Sequence, residues 1–211
     1  MSSSHLDSLI TQFAELPTTC ISDALAGLTN LDPAIKPLKK EWTVCGRAYP
    51  VKLRAADNLK LLQGIRDAQP GDVLIADAKG YLYNAVAGDF VIGLMKTLGL
   101  AGFVVDGAVR DVSGIQELDF PVFCRGTTVA AGGKSGAGEA GVPISCAGVT
   151  VHPGDIVVGD ADGVVVVPAH QAEEVLAKAR EKLEKDRERE EGVLGNPDAA
   201  RAYLDRVLGR G

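Results

Sequence analysis

Residues 101–114, AGFVVDGAVRDVSG, carry the strongest structural signal in the chain. Residues 103–105 are an apolar run typical of a buried strand, and Asp106-Gly107 is a dipeptide typical of a turn. Arg110 and Asp111 follow, where the predicted strand has just left the core. A cation beside an anion at such a place is either a surface ion pair or part of a site for a metal and a carboxylate substrate.

Strand-like and helix-like segments alternate along the rest of the chain. Short β-branched runs between glycine-rich turns predict strands at DVLIAD (72–77), PVFCRG (121–126), VTV (149–151), DIVVGD (155–160) and GVVVVP (163–168). Helical spacing of apolar residues predicts helices over residues 4–15, 19–27, 57–68, 89–99, 169–191 and 197–208. We therefore expect one α/β domain over residues 1–168 and a C-terminal helical extension over residues 169–211 that contacts another subunit.

Two segments, QPGDVLIAD (69–77) and HPGDIVVGD (152–160), share a Pro-Gly-Asp sequence before an apolar run. Proline fixes φ, and glycine adopts positive φ without steric cost. The shared tripeptide therefore predicts two tight turns that lead into two strands of one sheet or barrel.

The composition argues against several classes of function. The formal net charge of −6 does not favour a nucleic-acid backbone as partner. The first residues, MSSSHLDSLI, lack the basic and apolar regions of a signal peptide, and no apolar run reaches the roughly 18 residues of a membrane span. We expect a soluble, cytoplasmic protein that binds neither nucleic acid nor a membrane.

Cysteine and histidine form no recognisable site in the sequence. The cysteines are widely spaced without a C-x-x-C pair, which predicts four reduced, mostly buried thiols. They are Cys20, Cys45, Cys124 and Cys146. The three histidines are equally scattered, which argues against Ser-His-Asp chemistry and a histidine-rich zinc site. Oxygen ligands are then expected for any metal, which favours Mg²⁺ or Mn²⁺.

Two glycine-rich segments match nucleotide-binding motifs in their letters, but neither is followed by the helix that such a motif needs. GAGEAG (136–141) fits G-x-G-x-x-G, but the residues that follow include Pro143 and read as extended rather than helical. TVAAGGKS (128–135) resembles a Walker A loop, but Thr128 replaces its first glycine and no helix is predicted to follow. Neither a dinucleotide site nor ATP or GTP hydrolysis is expected, and residues 131–141 are interpreted as a mobile surface loop or lid.

Asp89, in AGDFVIGL (87–94), stands at the start of a predicted helix. It is either a simple N-cap, whose oxygen accepts a free amide hydrogen, or part of a binding site. In the second case the amides of Phe90 and Val91 lie unpaired in the first helical turn, where the helix dipole favours a small carboxylate.

A strand beside this helix would bring Arg110 and Asp111 to the same cleft as Asp89. The two carboxylates then offer hard oxygens for Mg²⁺, and Arg110 offers a planar set of donors for a carboxylate or enolate. Composition and spacing make this site possible, and they leave the surface ion pair as an alternative.

The segments AGDFV, GLAGFVVDGAVRD and VHPGDIVVGDADGVVVVP resemble the family that includes regulator of ribonuclease E activity A (RraA) and the 4-hydroxy-4-methyl-2-oxoglutarate aldolases. The strongest motif is G-x-V-x-D-G-x-x-R-D, and the resemblance extends from about TTCISDAL to Glu191. It implies an α/β/α sandwich around a small central β-barrel, assembled as trimers or pairs of trimers. It also implies a class II lyase that needs a divalent metal, Mg²⁺ or Mn²⁺, and releases pyruvate from a 4-hydroxy-2-oxo diacid.

The resemblance assigns roles to the residues of the predicted cleft. It implies that Asp111 binds the metal directly and that Asp89 holds a metal-bound water and assists proton transfer. Arg110 contacts the developing enolate oxygen, and the amides of one loop grip the pyruvate carboxylate. The residues of that loop are Gly88, Asp89, Phe90 and Val91. Oxaloacetate decarboxylation passes through the same enolate, so one site serves both reactions.

The family's aldolases also use a glutamate from the C-terminal helix of a neighbouring subunit near the metal. Here that helix contains AREKLEKDREREEG, in which Glu184 is the preferred residue and Glu181 and Glu188 are alternatives.

Two other functions remain open at this stage. Some members of the family act as non-catalytic proteins that bind a ribonuclease, and an RraA-type regulator is the main alternative. A methyltransferase acting on a quinone precursor is a further alternative, but GAGEAG lacks the strand-to-helix context that a nucleoside cofactor needs.

Overall fold

The apolar runs of the sequence form a strongly curled sheet in a computed structural model that describes residues 3–209. The strands are β1 (Lys36–Pro37), β2 (Val44–Leu53), β3 (Asp72–Ala87), β4 (Gly102–Val109), β5 (Val122–Thr127), β6 (Gly138–Ala140), β7 (Ile144–Cys146), β8 (Val149–Val151), β9 (Ile156–Asp160) and β10 (Gly163–Val167). The helices are α1 (Ser3–Phe13), α2 (Thr18–Ala24), α3 (Leu59–Asp67), α4 (Asp89–Thr97), α5 (Val112–Leu118), α6 (Ala172–Val193) and α7 (Pro197–Val207).

The main sheet has the strand order β1-β5-β4-β3-β2-β9-β10, with β6 also paired to β2. Strands β5, β4, β3 and β2 are parallel, whereas β9 is antiparallel to β2 and β10 to β9. Near the two ends of this order, Asn30 bridges to Val165 of β10, and Lys36 Nζ donates to the Asp162 carbonyl oxygen at 2.6 Å. The sheet is therefore a nearly closed barrel.

Three buried clusters show how the helices cover this barrel. Helices α3, α4 and α5 pack Leu61, Ile92 and Ile115 against one outer face. Helices α1, α2 and α6 cover another face with residues such as Phe13 and Leu176. The β7–β8 hairpin and the inward-facing residues of the strands form the third cluster. This arrangement confirms the expected α/β/α sandwich around a central β-barrel, with a C-terminal helical extension.

The predicted helices are present, with boundaries shifted by a few residues at most. The repeated Pro-Gly-Asp segments are confirmed as turns that lead into β3 and β9. Gly71 and Gly154 have φ of +84° and +91°. In each turn the following aspartate accepts a hydrogen bond at 2.8 Å from the amide three residues earlier.

The expectation of a turn at Asp106-Gly107 is wrong, because both residues lie inside β4. Asp106 is buried, and its carboxylate is satisfied without a turn. It accepts hydrogen bonds from Arg125 Nε at 2.5 Å and from the Ala147 amide at 3.1 Å. These long-range partners allow a charged residue to remain within a buried strand.

Helix α5 begins directly after Asp111 and is not predicted by the sequence pattern. Its β-branched Val112 and its Gly114 are weak helix formers. The helix is stabilised instead by tertiary packing, since Ile115 is completely buried in the cluster beneath α4 and α5.

The cysteines agree with the prediction of reduced thiols, because all four are free in the structure. Burial raises the pKa of Cys45 to about 12 and that of Cys124 to about 11. Among the described residues, no helix combines the length and the apolar character needed to cross a bilayer.

Candidate active site

The ends of two parallel neighbouring strands bring the predicted site residues together. Ala87, the last residue of β3, is in register with Val109, the last residue of β4. The Arg110 amide donates to the Ala87 carbonyl oxygen at 3.0 Å, which extends the pairing one residue further. Gly88 and Arg110 therefore leave the sheet side by side, as expected for ligand sites at the carboxyl ends of parallel strands.

Asp111 adopts the left-handed conformation, with φ 57° and ψ 44°, where it stands as the N-cap of α5. A non-glycine residue in this region is uncommon and often marks a functional position. Its carboxylate lies over Gly88, and a Cβ atom at position 88 would overlap Asp111 Oδ2. Gly88 thus makes the space that the Asp111 carboxylate occupies.

A second glycine supports the second carboxylate. Asp89 is the first residue of α4, and Gly88 is its N-cap, so the simple N-cap interpretation of Asp89 is wrong. The Asp89 side chain lies against Gly114 of α5, where an added Cβ would come within 2.7 Å of Asp89 Oδ2 and 2.9 Å of its Cβ. Each carboxylate therefore packs directly against a glycine. Asp111 packs against Gly88, which precedes α4, and Asp89 packs against Gly114, which lies in α5.

The first turn of α4 is only partly as expected. The Phe90 amide donates to Asp89 Oδ1 at 2.6 Å, which contradicts the expectation that this amide is unpaired. The Ile92 amide bonds the Gly88 carbonyl oxygen at 3.0 Å, while the Val91 amide donates to no acceptor among residues 3–209. The Asp89 amide likewise has no acceptor among the described residues, so Val91 and Asp89 both offer open backbone donors at this helix N-terminus, where the dipole favours an anion.

Arg110 and Asp111 do form an ion pair, with Arg110 Nε 3.3 Å from Asp111 Oδ2. The two side chains remain 41% and 44% exposed. Pairs of this kind contribute under about 1 kcal/mol, so the contact alone does not explain two charged groups at this position. Both groups are free to engage a ligand.

A cavity of about 370 Å³ opens above these residues. Its lining includes Asp89, Arg110 and Asp111, together with Asn58 and Lys134, which the sequence pattern did not indicate. The lysine belongs to the GGKS segment, whose only signal was a misleading resemblance to a Walker A loop.

Asn58 has an unusual hydrogen-bonding state for a residue that lines a cavity. Its Nδ2 donates to the Val86 carbonyl oxygen at 3.0 Å. Its Oδ1 is buried and accepts no hydrogen bond from any described residue. Buried polar atoms are nearly always paired, so this oxygen is an unsatisfied acceptor next to the cavity.

Residues 131–141 are anchored, which disagrees with their interpretation as a mobile loop. The Gly132 amide donates to the Ala85 carbonyl oxygen at 2.9 Å, and Asn84 Nδ2 donates to the Ala131 carbonyl oxygen at 2.7 Å. Further along, Gly138–Ala140 forms β6 beside β2. This strand replaces the helix that a dinucleotide motif needs, as expected from the sequence.

The donor set suits a hard divalent cation. Mg²⁺ is usually bound through one or two carboxylates and otherwise by water and substrate oxygens, and Asp89 and Asp111 supply two carboxylates. Both acids line the cavity, and each packs against a glycine. Residues 3–209 bring no group of three His, Cys, Asp or Glu side chains together that could hold a metal ion.

Glu181, Glu184 and Glu188 do not line the cavity of their own chain. Their helix, α6, packs against α1 and α2, whereas the cavity is lined by residues of α3 and α4 and by Asp111, the N-cap of α5. Glu184 is exposed, and Glu181 is paired with Lys185 at 2.5 Å. A role for any of them requires a neighbouring subunit and stays a prediction.

The barrel fold and the Asp-Arg-Asp cluster at its strand ends define a protein of the aldolase and RraA class. The chain belongs to the RraA-like family, described as Aldolase/RraA, whose profile matches residues 18–166. It is 54% identical over 208 residues to a Halalkalibacterium halodurans protein named, provisionally, as a 4-hydroxy-4-methyl-2-oxoglutarate aldolase, with 99% of each chain covered.

Two solved structures share the fold with substantial coverage. The RNA-processing inhibitor RraA from Thermus thermophilis is 30% identical, with a TM-score of 0.67 over 73% of this chain and 93% of that one. A Geobacillus kaustophilus protein described as an S-adenosylmethionine:2-dimethylmenaquinone methyltransferase is 28% identical, with a TM-score of 0.67 over 72% and 95% of the two chains.

Proposed function

We propose that this protein is a divalent-metal-dependent lyase that cleaves a 4-hydroxy-2-oxo diacid to pyruvate and also decarboxylates oxaloacetate. The observation that carries the proposal is the convergence of Asp89, Arg110 and Asp111 on one cavity of about 370 Å³. The provisional aldolase name of the relative that is 54% identical supports the same reaction class. A substrate resembling 4-hydroxy-4-methyl-2-oxoglutarate is the first choice.

Substrate binding follows from the charges of the cavity. The C1 carboxylate lies at the N-terminus of α4, where the Val91 and Asp89 amides are open donors and the dipole is favourable. Arg110 donates to the C2 oxygen. Lys134 lines the same cavity and carries the charge that suits the distal carboxylate of a diacid.

Bond cleavage requires an electron sink and a base. A bound Mg²⁺ supplies Lewis-acid stabilisation of negative charge on the C2 oxygen, with Asp111 and Asp89 as the residues that would hold it. The C3–C4 electron pair moves into the C2–C3 enolate, whose oxygen Arg110 stabilises. Asp89 takes the C4 hydroxyl proton through a water molecule. Protonation of the enolate at C3 releases pyruvate, and the C4 fragment leaves as a second oxo acid.

Oxaloacetate decarboxylation uses the same groups. Its C3–C4 bond breaks with loss of carbon dioxide, and the electron pair again forms the enolate held by Arg110. No hydroxyl proton is removed in this reaction. Asp89 is therefore less important for decarboxylation than for aldol cleavage, whereas Arg110 and Asp111 are needed for both.

The test is pyruvate release coupled to lactate dehydrogenase, from 4-hydroxy-4-methyl-2-oxoglutarate and from oxaloacetate. Each substrate is assayed with Mg²⁺, with Mn²⁺ and with EDTA. Metal-dependent turnover well above the rate of the metal alone supports the proposal. Turnover no faster than the metal-only background on both substrates rejects both activities.

A homo-oligomer, a trimer or a pair of trimers, is part of this proposal, because the family resemblance implies one. In the oligomer, Glu184 of a neighbouring subunit would complete the set of metal ligands. Light scattering of the purified protein and the metal affinity of Glu184→Gln test this part. An unchanged affinity with weaker binding in Glu181→Gln or Glu188→Gln would move the assignment to that residue.

A second function is favoured by the similarity to the Thermus structure, which is described as an RNA-processing inhibitor. In that case the protein docks on a ribonuclease, and the cavity has no catalytic role. Inhibition of ribonuclease E activity by wild-type protein and equally by Asp111→Asn would favour this function. Methyl transfer from labelled S-adenosylmethionine tests the activity described for the Geobacillus structure.

A further inference from the structure

Asp57, between β2 and α3, is a buried carboxylate that is only 3% exposed. Among the described residues it has no cationic partner, and its charge is satisfied by backbone amides together with the Ser135 side chain. It accepts hydrogen bonds from the amides of Leu59 at 3.1 Å and Gly136 at 3.2 Å, and a short one from the Ser135 amide. Charge-assisted bonds of this kind are stronger than neutral ones.

These bonds join two distant segments of the chain. Leu59 begins α3, whereas Ser135 and Gly136 belong to the glycine-rich segment. The backbone on either side of Asp57 makes the same connection. The Gly133 amide donates to the Ala56 carbonyl oxygen at 2.6 Å, and the Asn58 amide donates to the Gly133 carbonyl oxygen at 3.0 Å.

The joined segments carry Asn58 and Lys134, the polar side chains of this part of the cavity wall, and Asp57 itself is not among the lining residues. We call the hydrogen bonds from the Leu59, Ser135 and Gly136 amides to Asp57, with the two backbone bonds of Gly133, the Asp57 clamp. Lys134 lies between Gly133 and Ser135, and the clamp holds both of these residues. Asn58 is the next residue after Asp57 in the chain. Removing the carboxylate therefore frees the segment that holds the cavity's lysine, without removing any group that faces the ligand.

We infer that Asp57 is a positioning residue that fixes Lys134 and Asn58 against the cavity. The inference rests on the proposed function for its consequence, namely that binding of the distal half of the diacid depends on Asp57. The half that resembles pyruvate, which lies at Arg110 and the start of α4, does not depend on it.

The first test concerns the clamp itself and needs no activity. Hydrogen exchange of the wild-type protein, resolved by mass spectrometry, is expected to show slow exchange at the amides of Ser135 and Gly136. In Asp57→Asn these amides are expected to exchange at least tenfold faster. Wild-type amides that exchange at the rate of an unprotected peptide would overturn the inference, even if the variant does not fold.

Asp155→Asn is the matched control, because Asp155 is also a buried carboxylate bound by backbone amides. It accepts hydrogen bonds from the His152 and Ala169 amides at 2.8 and 3.0 Å, and it does not line the cavity. We expect Asp155→Asn to lose about as much thermal stability as Asp57→Asn. The Ser135 and Gly136 amides of Asp155→Asn should keep their wild-type protection from hydrogen exchange. Equal loss of protection in both variants would mean general loosening and would overturn the specific role.

The second test separates the two halves of the substrate. In Asp57→Asn we expect the KM for the diacid to rise at least tenfold, with kcat within threefold of wild type. The inhibition constant of oxalate, a small analogue of the pyruvate enolate, should change less than threefold. A variant that loses only kcat contradicts the inference. Equal weakening of oxalate binding and diacid binding contradicts it as well. If the wild-type protein has no lyase activity, the proposed function fails while the exchange experiment still decides the role of the clamp.

Discussion

Gly88 and Asp111 lie so close together that a Cβ atom at position 88 would overlap the Asp111 Oδ2 atom. Gly88 is the N-cap of α4 and Asp111 is the N-cap of α5, so this contact joins two adjacent crossovers of the sheet. The absence of a side chain at position 88 is thus part of the site. The lack of a side chain at Gly88 determines the position of the Asp111 carboxylate relative to Arg110.

Gly88→Ala should therefore reduce activity without unfolding the protein. Gly88 has φ −126° and ψ −174°, an extended conformation that alanine adopts without strain. The added methyl group displaces the Asp111 carboxylate. We expect pyruvate release to fall at least 100-fold, about 3 kcal/mol of transition-state stabilisation, and Mn²⁺ binding by calorimetry to weaken.

Gly93→Ala is the control for this substitution. Gly93 lies within α4, where an added Cβ has Leu118 Cδ1 as its nearest neighbour at 3.9 Å, an ordinary contact. Alanine in a helix interior is favoured over glycine by up to about 1 kcal/mol. Activity should be retained. Full activity in Gly88→Ala would show that the contact does not constrain the site.

The two ends of α5 provide a matched pair of aspartates. Asp111 and Asp119 both adopt the left-handed conformation, with φ 57° and 50°. Asparagine tolerates this conformation well, so Asp111→Asn should preserve the fold while lowering metal-dependent pyruvate release at least 100-fold. Asp119→Asn should keep its activity, because Asp119 binds Trp42 Nε1 at 2.8 Å and does not line the cavity. Equal effects of the two substitutions would indicate that α5 is merely destabilised.

Lys134→Met tests whether the cavity selects a second carboxylate. The substitution keeps most of the apolar chain and removes the charge. A hydrogen bond to a charged group contributes about 1.5–3 kcal/mol, so the KM for the diacid should rise by about 10-fold to 100-fold. Lys52→Met, an exposed position on β2 outside the cavity, should leave the KM unchanged. A Lys134→Met enzyme with normal KM would remove the lysine from the binding site.

Stability at acid pH depends on Asp57. Burial raises the pKa of this carboxyl, but the hydrogen bonds from Ser135, Leu59 and Gly136 outweigh burial and lower the pKa to about 2. The unfolded chain has a pKa near 3.9. The ionised group therefore stabilises the fold above about pH 4, and this contribution is lost as the pH falls from about 4 to 2.

Urea unfolding of wild type and Asp57→Asn at several pH values checks this dependence. The difference in the free energy of unfolding should be constant between about pH 5 and pH 7. It should shrink progressively below pH 4. A difference that is the same at pH 3 and pH 7 would show that the charge of Asp57 makes no contribution.

Local patterns in the sequence located several strands, but they missed β2 (Val44–Leu53) and most of the second half of β3. They made the convergence of Asp89 with the Arg110-Asp111 segment possible, and the family resemblance favoured it over a surface ion pair. Alternation of apolar runs and turns locates β3 and β4, and the acidic start of a periodic segment locates α4. The same local patterns failed at Asp106-Gly107, where a turn dipeptide is overridden by partners far along the chain.

Asn58 and Lys134 were beyond sequence reasoning for a related reason. They are 76 residues apart, and neither belongs to a recognisable motif in its own neighbourhood. The bonds of Asp57 and Gly133 bring them together, and such long-range bonds leave no periodic pattern in the sequence. The roles of the site residues follow from the family resemblance and the geometry together, and the experiments above test them.

The nearly closed barrel also determines how the native chain behaves towards its neighbours in concentrated solution. Exposed strand edges act as templates on which other chains add strands, which leads to aggregation. Here β1, at one end of the sheet, has only two residues, and it lies close to β10 at the other end. Little unpaired backbone remains for a foreign strand to extend. Aggregation of this protein should therefore begin from partly unfolded chains, in which the barrel has opened, rather than from the native state.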